Sequence, residues 1–215
     1  MTCSAMRFLV ILSLSALQPS DPKMKRKALD LFCETEMRKR SGFTHESRKN
    51  ESKEWYTPVE IFDALGCTFD MDVCSPGKEI VPWIPADRHL TIADDGLTAD
   101  WEGFVWVNPP YGDSTAPFLK KLSAYRNGIA IVFSRTDTAW FHEYVSEADA
   151  VLFIRRRVKF IPARAASVYA KTQKPLSGPS GCGCGSMLVG YGEQANRALE
   201  RAESLLGQIW IRRKR

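Results

Sequence analysis

The chain has 215 residues, of which 44% are hydrophobic and 26% are charged. These proportions are typical of a folded globular domain and exclude a disordered, collagen-like or multi-spanning membrane protein. Thirty basic residues against 25 acidic ones give a net charge of +5. The excess is concentrated in runs such as Lys23–Lys27 and Arg155–Arg157. Such a run either contacts phosphate or forms only a solvated face.

Residues 1–53 are predicted to form a flexible basic arm, because most of this stretch is polar and lacks apolar periodicity. The apolar run Phe8–Leu17 imitates part of a signal peptide, but no small-x-small cleavage site follows it. The run is also too short to cross a bilayer. The alternatives are a short helix, or sequence upstream of a true start at Met24 or Met37.

The cysteines indicate a reducing compartment. Six cysteines in a chain of this length do not form a disulfide scaffold, and Cys182 and Cys184 lack the second pair or the histidines that a zinc site needs. We therefore expect reduced thiols in a cytoplasmic protein, with no metal and no membrane contact. The ordered domain is predicted to span residues 54–208, followed by a basic tail at residues 209–215.

From Trp55 onward, helical and strand-like patterns alternate. Pro58–Leu65 is predicted to be a helix, because a proline suits the first turn and Thr57 is a plausible N-cap. Two segments are predicted to be irregular, at residues 80–100 and in a long loop at residues 163–185. The other predicted helices are 116–125, 138–147 and 194–206, and the predicted strands are 69–74, 104–107, 128–134, 150–154 and 187–191.

Continuously apolar strands separated by helices predict an α/β fold, with a mostly parallel sheet covered by helices on both faces. Ligands of such sheets bind at the carboxyl ends of the strands. Two unusual polar turns stand at the ends of such strands. DVCSPG ends the first predicted strand, at residues 69–74, and NPPYG follows the predicted strand at residues 104–107. The sequence therefore predicts a ligand site where these two turns meet.

The segment Asn108-Pro109-Pro110-Tyr111 carries the most specific chemistry. Two prolines in series remove two backbone donors and hold the chain extended. The Asn108 side-chain oxygen and the Pro109 carbonyl then point out of the sheet edge as fixed acceptors, beside the flat ring of Tyr111. Two acceptors and a stacking ring suit a planar substrate with an NH₂ group. The alternative is a proline-rich turn with a buried tyrosine.

NPPY after a hydrophobic strand resembles the catalytic motif of S-adenosylmethionine-dependent amino-methyltransferases. The ordered blocks EWYTP, FDMDVCS, DDGLTADW, VWVNPPYG, RTDTAWFHEYV and RRRVKF are similar to the phage-type DNA adenine-N6 methyltransferase (Dam-like) family. The resemblance covers residues 54–191. It implies a Rossmann-like methyltransferase fold, the cofactor S-adenosyl-L-methionine, and double-stranded DNA as the substrate. By analogy with the family, GATC is a candidate for the modified DNA sequence, whereas the oligomeric state is not implied.

The resemblance also assigns roles to individual residues. Asn108, Pro109, Pro110 and Tyr111 correspond to the catalytic motif, in which the target adenine is flipped out of the duplex and stacked on the tyrosine. The second face of the base is assigned to Phe160, although a core phenylalanine is an equal alternative. The cofactor is assigned to Trp55, Tyr56, Thr57, Asp70, Asp72, Cys74, Ser75 and Asp95.

Basic residues beside the last block complete the prediction. Arg155, Arg156, Arg157 and Lys159 are expected to contact DNA phosphates, because they adjoin the predicted base site in sequence. One departure from most methyltransferases is the CSPG turn, which stands where a glycine-rich GxG is usual. Two other functions stay open: a methyltransferase that uses NPPY on RNA or on a protein glutamine, and a catalytically silent nucleic-acid-binding relative.

Overall fold

The computed structural model describes residues 54–174 and 183–212, and the predicted arm at residues 1–53 and Cys182 lie outside this part. The helices within it are α1 (Val59–Leu65), α2 (Thr115–Tyr125), α3 (Ala139–Glu143), α4 (Ala166–Thr172) and α5 (Glu193–Leu206). The strands are β1 (Trp55–Tyr56), β2 (Phe69–Asp72), β3 (Ala86–His89), β4 (Val105–Val107), β5 (Gly128–Phe133), β6 (Ala150–Ile154), β7 (Ile161–Pro162), β8 (Ser186–Tyr191) and β9 (Gly207–Ile211).

Seven of these described strands form one mixed sheet in the order β3-β2-β4-β5-β8-β6-β9. Strand β2 pairs in parallel with β3 and β4, and β4 pairs in parallel with β5. Strand β8 is antiparallel to both β5 and β6, and β9 is antiparallel to β6. Strands β2 to β6 therefore all run in one direction, so the predicted mixed α/β architecture with a largely parallel sheet is confirmed.

Apolar clusters cover both faces of the sheet, as the continuously apolar strands predict. Successive side chains of β5 alternate between them: Ile129 and Ile131 join one cluster, while Ala130 and Val132 join the other. The first cluster includes the buried residues of α1 and α5, and the second includes those of α2. Helices therefore lie on both faces, and the polar turns between them stand at the carboxyl edge.

Three segments differ from the prediction because tertiary contacts decide them. Residues 80–100 contain β3, which extends the sheet beside β2. The predicted loop at residues 163–185 contains a 3₁₀ turn and α4, whose Tyr169 is fully buried. The predicted tail at residues 209–215 begins inside β9, so the sheet extends beyond the predicted boundary at residue 208. Short elements of this kind carry weak periodicity, so the sequence does not reveal them.

Helix α1 begins one residue later than predicted, and Pro58 rather than Thr57 is its N-cap residue. The Pro58 side chain has no polar atom with which to cap the helix. The first backbone N–H of the helix, that of Val59, donates instead to the Tyr169 hydroxyl at 3.0 Å. The same hydroxyl lies 3.2 Å from Glu60 Oε2. Helix α4 thus supplies the group that satisfies the start of α1. The predicted helix 138–147 is divided into α3 and a 3₁₀ turn at Val145–Glu147.

The loop that follows β3 is pressed against the carboxyl end of β2. A Cβ atom at Gly96 would stand 2.0 Å from the Val73 carbonyl oxygen. On the other side, Lys121 Nζ donates to the carbonyls of Gly96, Leu97 and Ala99. The loop is therefore held from both sides, and it forms one wall of the edge at which the polar turns meet.

We expect Gly96→Ala to destabilise the protein by at least the 1–3 kcal/mol typical of overpacking, because the new methyl group meets backbone rather than a mobile side chain. Gly185→Ala is the matched control, since its Cβ would meet Ser134 at an ordinary 3.5 Å. The measurement is urea unfolding of both variants. Equal stability of the two would show that the loop is not pressed against β2.

Among the residues that the structure describes, no helix is long and apolar enough to cross a membrane.

Candidate functional site

The carboxyl ends of β2, β4 and β5 meet at one edge of the sheet, as the two polar turns predict. They place Asp72, Asn108 and Phe133 at neighbouring strand ends. The turns also touch, because the backbone N–H of Asn108 faces the Cys74 thiol. Burial raises the pKa of that thiol well above its ordinary value, so Cys74 stays neutral. The structure therefore joins the DVCSPG and NPPYG turns into one site.

The side-chain amide of Asn108 is fixed in one orientation. Its Nδ2 donates to the Trp55 carbonyl at 2.8 Å. Trp55 is itself held by β1, where it pairs with Pro162 of β7. The Asn108 Oδ1 atom is buried and accepts no hydrogen bond from the described residues. Since an unpaired buried acceptor is costly, this oxygen is an acceptor prepared for a donor that none of the described residues supplies.

A cluster of three aromatic rings stands beside that acceptor. The rings of Tyr111 and Phe133 are stacked, with centroids 4.0 Å apart and planes inclined by 4°. Phe160 contacts Tyr111 edge to face, at 5.9 Å and 82°. Phe160 is only 2% exposed and belongs to the apolar core. The structure therefore gives Phe160 the core position that the sequence left as the alternative, and it does not present a face parallel to Tyr111.

Side chains hold the CSPG turn in place of the usual glycine-rich loop. Asp72 Oδ1 accepts the backbone N–H of Cys74 at 3.2 Å, and Ser75 Oγ accepts that of Gly77 at 3.1 Å. Ser75 Oγ also lies 2.8 Å from His89 Nδ1, which stands 3.7 Å from Asp72 Oδ2. Asp72, Ser75 and His89 thus form a polar cluster at the ends of β2 and β3. The sequence predicted the first two and missed His89.

Burial raises the pKa of Asp72 from 3.8 to about 7, and hydrogen bonds from the Cys74 backbone and the Ser75 hydroxyl only partly oppose this effect. Folding therefore favours the protonated carboxyl. The contribution of Asp72 to stability is fully present below about pH 3.8 and is lost as the pH rises to about 7.

We expect Asp72→Asn to remove this contribution, because the amide keeps an acceptor for the Cys74 N–H but does not titrate. The free energy of unfolding of the wild type, minus that of the variant, should fall between pH 4 and pH 7. Taking the difference removes the titration of most other groups, although His89 is a direct neighbour. Denaturant unfolding at several pH values measures it, and a difference that stays constant with pH would refute the assignment.

Two of the predicted cofactor carboxylates have other partners. Asp70 accepts the backbone N–H of Phe104, which precedes β4, so it lies towards the opposite end of the strand from Asn108. Asp95 is exposed with a positive φ of 49°, and its carboxylate accepts hydrogen bonds from Leu97 N–H and the Thr98 hydroxyl. The structure therefore does not bring Asp70 to the site, and it gives Asp95 a role in shaping its own loop.

The predicted Trp55-Tyr56-Thr57 segment does lie at the site, through the bond between Trp55 and Asn108. Thr57 is fully buried, and its Oγ1 has no hydrogen-bond partner among the described residues. Its carbonyl accepts the Trp83 indole N–H at 2.9 Å. The Tyr56 hydroxyl donates to Glu54 at 2.9 Å. Thr57 is therefore the residue of this segment with a buried polar group left for a ligand.

The predicted basic cluster lines an open groove of about 510 Å³ between α1, α4, the end of α5 and the segment that follows β6. Its lining combines these basic residues with the apolar Ile154, Val158 and Ile161, and it includes one carboxylate, that of Glu60. Arginines elsewhere pair with carboxylates, as Arg88, Arg126, Arg197 and Arg212 do. Within the described part of the chain, no carboxylate pairs with Arg155, Arg156, Arg157 or Lys159.

The comparison with known families agrees with the resemblance seen in the motifs. The family model described as DNA N-6-adenine-methyltransferase (Dam) matches residues 44–177, which is more than half of the chain. The protein belongs to this family. Membership implies a methyltransferase and indicates adenine-N6 methylation of DNA. No curated protein and no solved structure matches the chain.

The matched region of this Dam-family protein contains the whole edge described above, from Trp55 to Phe160. It also contains Phe133, which the sequence pattern presents only as one more apolar residue of a buried strand. The burial pattern of β5 distinguishes it, since Phe133 is the one residue of that strand that is not fully buried. A large apolar residue at the carboxyl end of a buried parallel strand was the signal that could have identified it.

Proposed function

We propose that this Dam-family protein transfers a methyl group from S-adenosyl-L-methionine to the N6 amine of an adenine flipped out of duplex DNA. The observation that carries the proposal is Asn108, whose Nδ2 is held by the Trp55 carbonyl while its buried Oδ1 has no partner among the described residues. The alternation of helices and strands, with β8 inserted antiparallel between β5 and β6, suits a Rossmann-like methyltransferase fold.

The substrate amine explains why fixed acceptors are needed. The adenine amine is a poor nucleophile because its lone pair is delocalised into the ring. Asn108 Oδ1 and the Pro109 carbonyl would each accept one amine hydrogen, which favours a more tetrahedral nitrogen. Among the described residues, no group donates a hydrogen bond to the Pro109 carbonyl, whereas the Thr115 hydroxyl engages the next carbonyl, that of Pro110. The bond to Trp55 preorganises the Asn108 acceptor, and preorganised groups are how enzymes stabilise developing charge most effectively.

S-adenosylmethionine would supply an electrophilic methyl group when bound. The residues that fit it are Thr57, with a buried hydroxyl lacking a partner among the described residues, and Asp72, whose carboxyl stands at the end of β2. Trp55, Tyr56, Cys74 and Ser75 belong to the same two segments. Asp95 stays a proposed contact of the adenosine part, through an exposed loop. Asp70 is not among the proposed cofactor contacts, because its carboxylate accepts the backbone N–H of Phe104.

Duplex DNA would lie along the basic groove. Arg155, Arg156, Arg157 and Lys159 lack carboxylate partners in the described part of the chain, so phosphates would supply their counter-charges. Lys159 adjoins Phe160, which touches Tyr111, so the groove and the base site are neighbours. Phosphate contacts position the duplex without reading its sequence. The proposal includes a cytoplasmic location and an origin from a phage or prophage.

Isothermal titration of S-adenosylmethionine into the purified protein tests the cofactor half of the proposal. We expect saturable binding at one site per chain, weakened by Thr57→Val, which removes the hydroxyl and keeps the shape. The wild type should also bind duplex DNA in the absence of the cofactor. DNA binding without any cofactor binding would instead identify a catalytically silent relative, and it would overturn the proposed function.

A further inference from the structure

The ring of Phe133 covers one face of Tyr111, the ring on which the flipped adenine would stack. The two rings are nearly parallel and in van der Waals contact, with centroids 4.0 Å apart. Phe133 lies on the same face of the sheet as Ile129 and Ile131, because side chains two residues apart in a strand share a face. It ends the strand that neighbours β4, and Asn108 follows β4 directly.

Ring orientation separates Phe133 from the other aromatic neighbour of Tyr111. A planar base held between two rings needs both of them parallel to its own plane. Phe133 meets this condition, since its plane is inclined by 4° to that of Tyr111. Phe160 is inclined by 82° and is buried in the core, so it would have to rotate within packed surroundings. Phe133 is partly exposed and is followed by the exposed Arg135.

We propose that Phe133 is the second wall of the adenine site, so that the flipped base enters between Phe133 and Tyr111. In the structure the two rings are in contact with each other, with no space for a base between them. For the base to enter, the ring separation must increase to about twice a stacking distance. This inference rests on the proposed function, since it concerns the substrate of that same site.

The two walls give a distinctive pattern of energies. With the base bound, each ring stacks on one of its faces, whereas without the base the two rings stack on each other. Phe133→Ala removes one stacking partner of the base but also removes the ring–ring stack that the base must break. In the wild-type background these two effects of Phe133→Ala on DNA affinity partly cancel. In the Tyr111→Ala background there is no ring–ring stack to break, so the loss of affinity should appear in full.

The experiment measures the affinity of four proteins for a duplex in which the target adenine stands opposite an abasic position. The proteins are the wild type, Phe133→Ala, Tyr111→Ala and the double variant, and the target site is first identified by sequencing methylated adenines from an expressing host. In the Tyr111→Ala background, we expect Phe133→Ala to weaken binding by about 5- to 140-fold, the range of one base–aromatic stack. The loss in the wild-type background should be smaller.

Three controls make the result specific. A duplex with an abasic target should show no effect of Phe133→Ala, because it has no base to stack. Phe153→Ala removes a half-buried ring that packs on Trp210 of β9, and it should leave affinity unchanged. Phe133→Leu keeps apolar bulk without a flat face, so it should behave like Phe133→Ala even if the alanine variant folds poorly.

The outcomes separate the inference from the function on which it rests. If Phe133→Ala has no effect in the Tyr111→Ala background, Phe133 only supports Tyr111 from behind, and the two-wall site is refuted. Phe133→Ala could instead raise affinity in the wild-type background and leave it unchanged in the Tyr111→Ala background. The base would then displace Phe133 without contacting it, and the two-wall site would again be refuted. A wild type that methylates no DNA adenine would instead overturn the proposed function.

Discussion

Asn108→Ala should lower the rate of DNA methylation by about a hundredfold or more, the cost typical of removing one preorganised acceptor or donor from an active site. The loss is expected because Oδ1 is the side-chain acceptor placed at the end of β4 beside Tyr111. Cofactor affinity should stay within a few-fold of the wild type, since β1 remains paired with β7 when the Trp55 bond is lost and Asp72 lies on another strand. Single-turnover methylation and cofactor titration measure the two effects separately.

Asn127→Ala is the matched control for this variant. Asn127 also donates its Nδ2 to a backbone carbonyl at 2.8 Å, that of Gly103, but it precedes β5 and so lies at the opposite edge of the sheet. It controls for the loss of an asparagine–carbonyl bond as such. Methylation by Asn127→Ala should be near the wild-type rate. Comparable losses in the two variants would mean that Asn108 is structural, and the catalytic assignment would then be withdrawn.

Replacing Arg155, Arg156 and Arg157 together by alanine should weaken binding to any duplex and reduce its dependence on salt. Binding of each phosphate releases counterions, so the slope of log affinity against log salt should flatten by about 0.9 for every phosphate that the variant no longer neutralises. Sequence preference should survive, because phosphate contacts do not read bases. Cofactor affinity should be unchanged, because none of the residues assigned to the cofactor lines the groove.

A second triple variant removes the same total charge elsewhere. Arg88, Arg197 and Arg212 are each paired with a carboxylate, so their replacement lowers the net charge by three without removing unpaired cations. Exposed pairs of this kind contribute about 0–1 kcal/mol, so this control should fold. We expect its salt slope to match that of the wild type. An equal decrease in slope for both variants would show that only net charge matters and that the groove has no special role.

The sequence predicted the main sheet and the meeting of the two polar turns, because both depend on local signals. Apolar strands such as residues 128–133 are unmistakable, and a polar turn directly after such a strand must stand at the carboxyl edge. What the sequence could not show is which polar atoms stay unpaired. That Asn108 Nδ2 binds a carbonyl 53 residues away, and leaves Oδ1 without a partner among the described residues, is a fact of tertiary packing.

The errors at the site have physical causes of the same kind. Asp70 and Asp72 stand two residues apart on β2 and are equivalent in the sequence pattern. Only Asp72 reaches the carboxyl edge of the sheet, because Asp70 is bonded to the backbone of the turn before β4. Phe160 and Phe133 are both phenylalanines near strand ends, and only their burial and ring planes distinguish a core residue from a wall. Strands β3 and β9 are too short to be recognised before their neighbours are known.

The central claim is that the protein methylates the N6 amine of adenine in DNA. The most direct measurement incubates the purified chain with methyl-labelled S-adenosylmethionine and unmethylated duplex DNA, then digests the DNA and identifies the labelled nucleoside by mass spectrometry. We expect labelled N6-methyldeoxyadenosine with the wild type and at least about a hundredfold less with Asn108→Ala. Label found on cytosine, on added RNA or on protein glutamine, or no transfer by a protein that binds the cofactor, would contradict it.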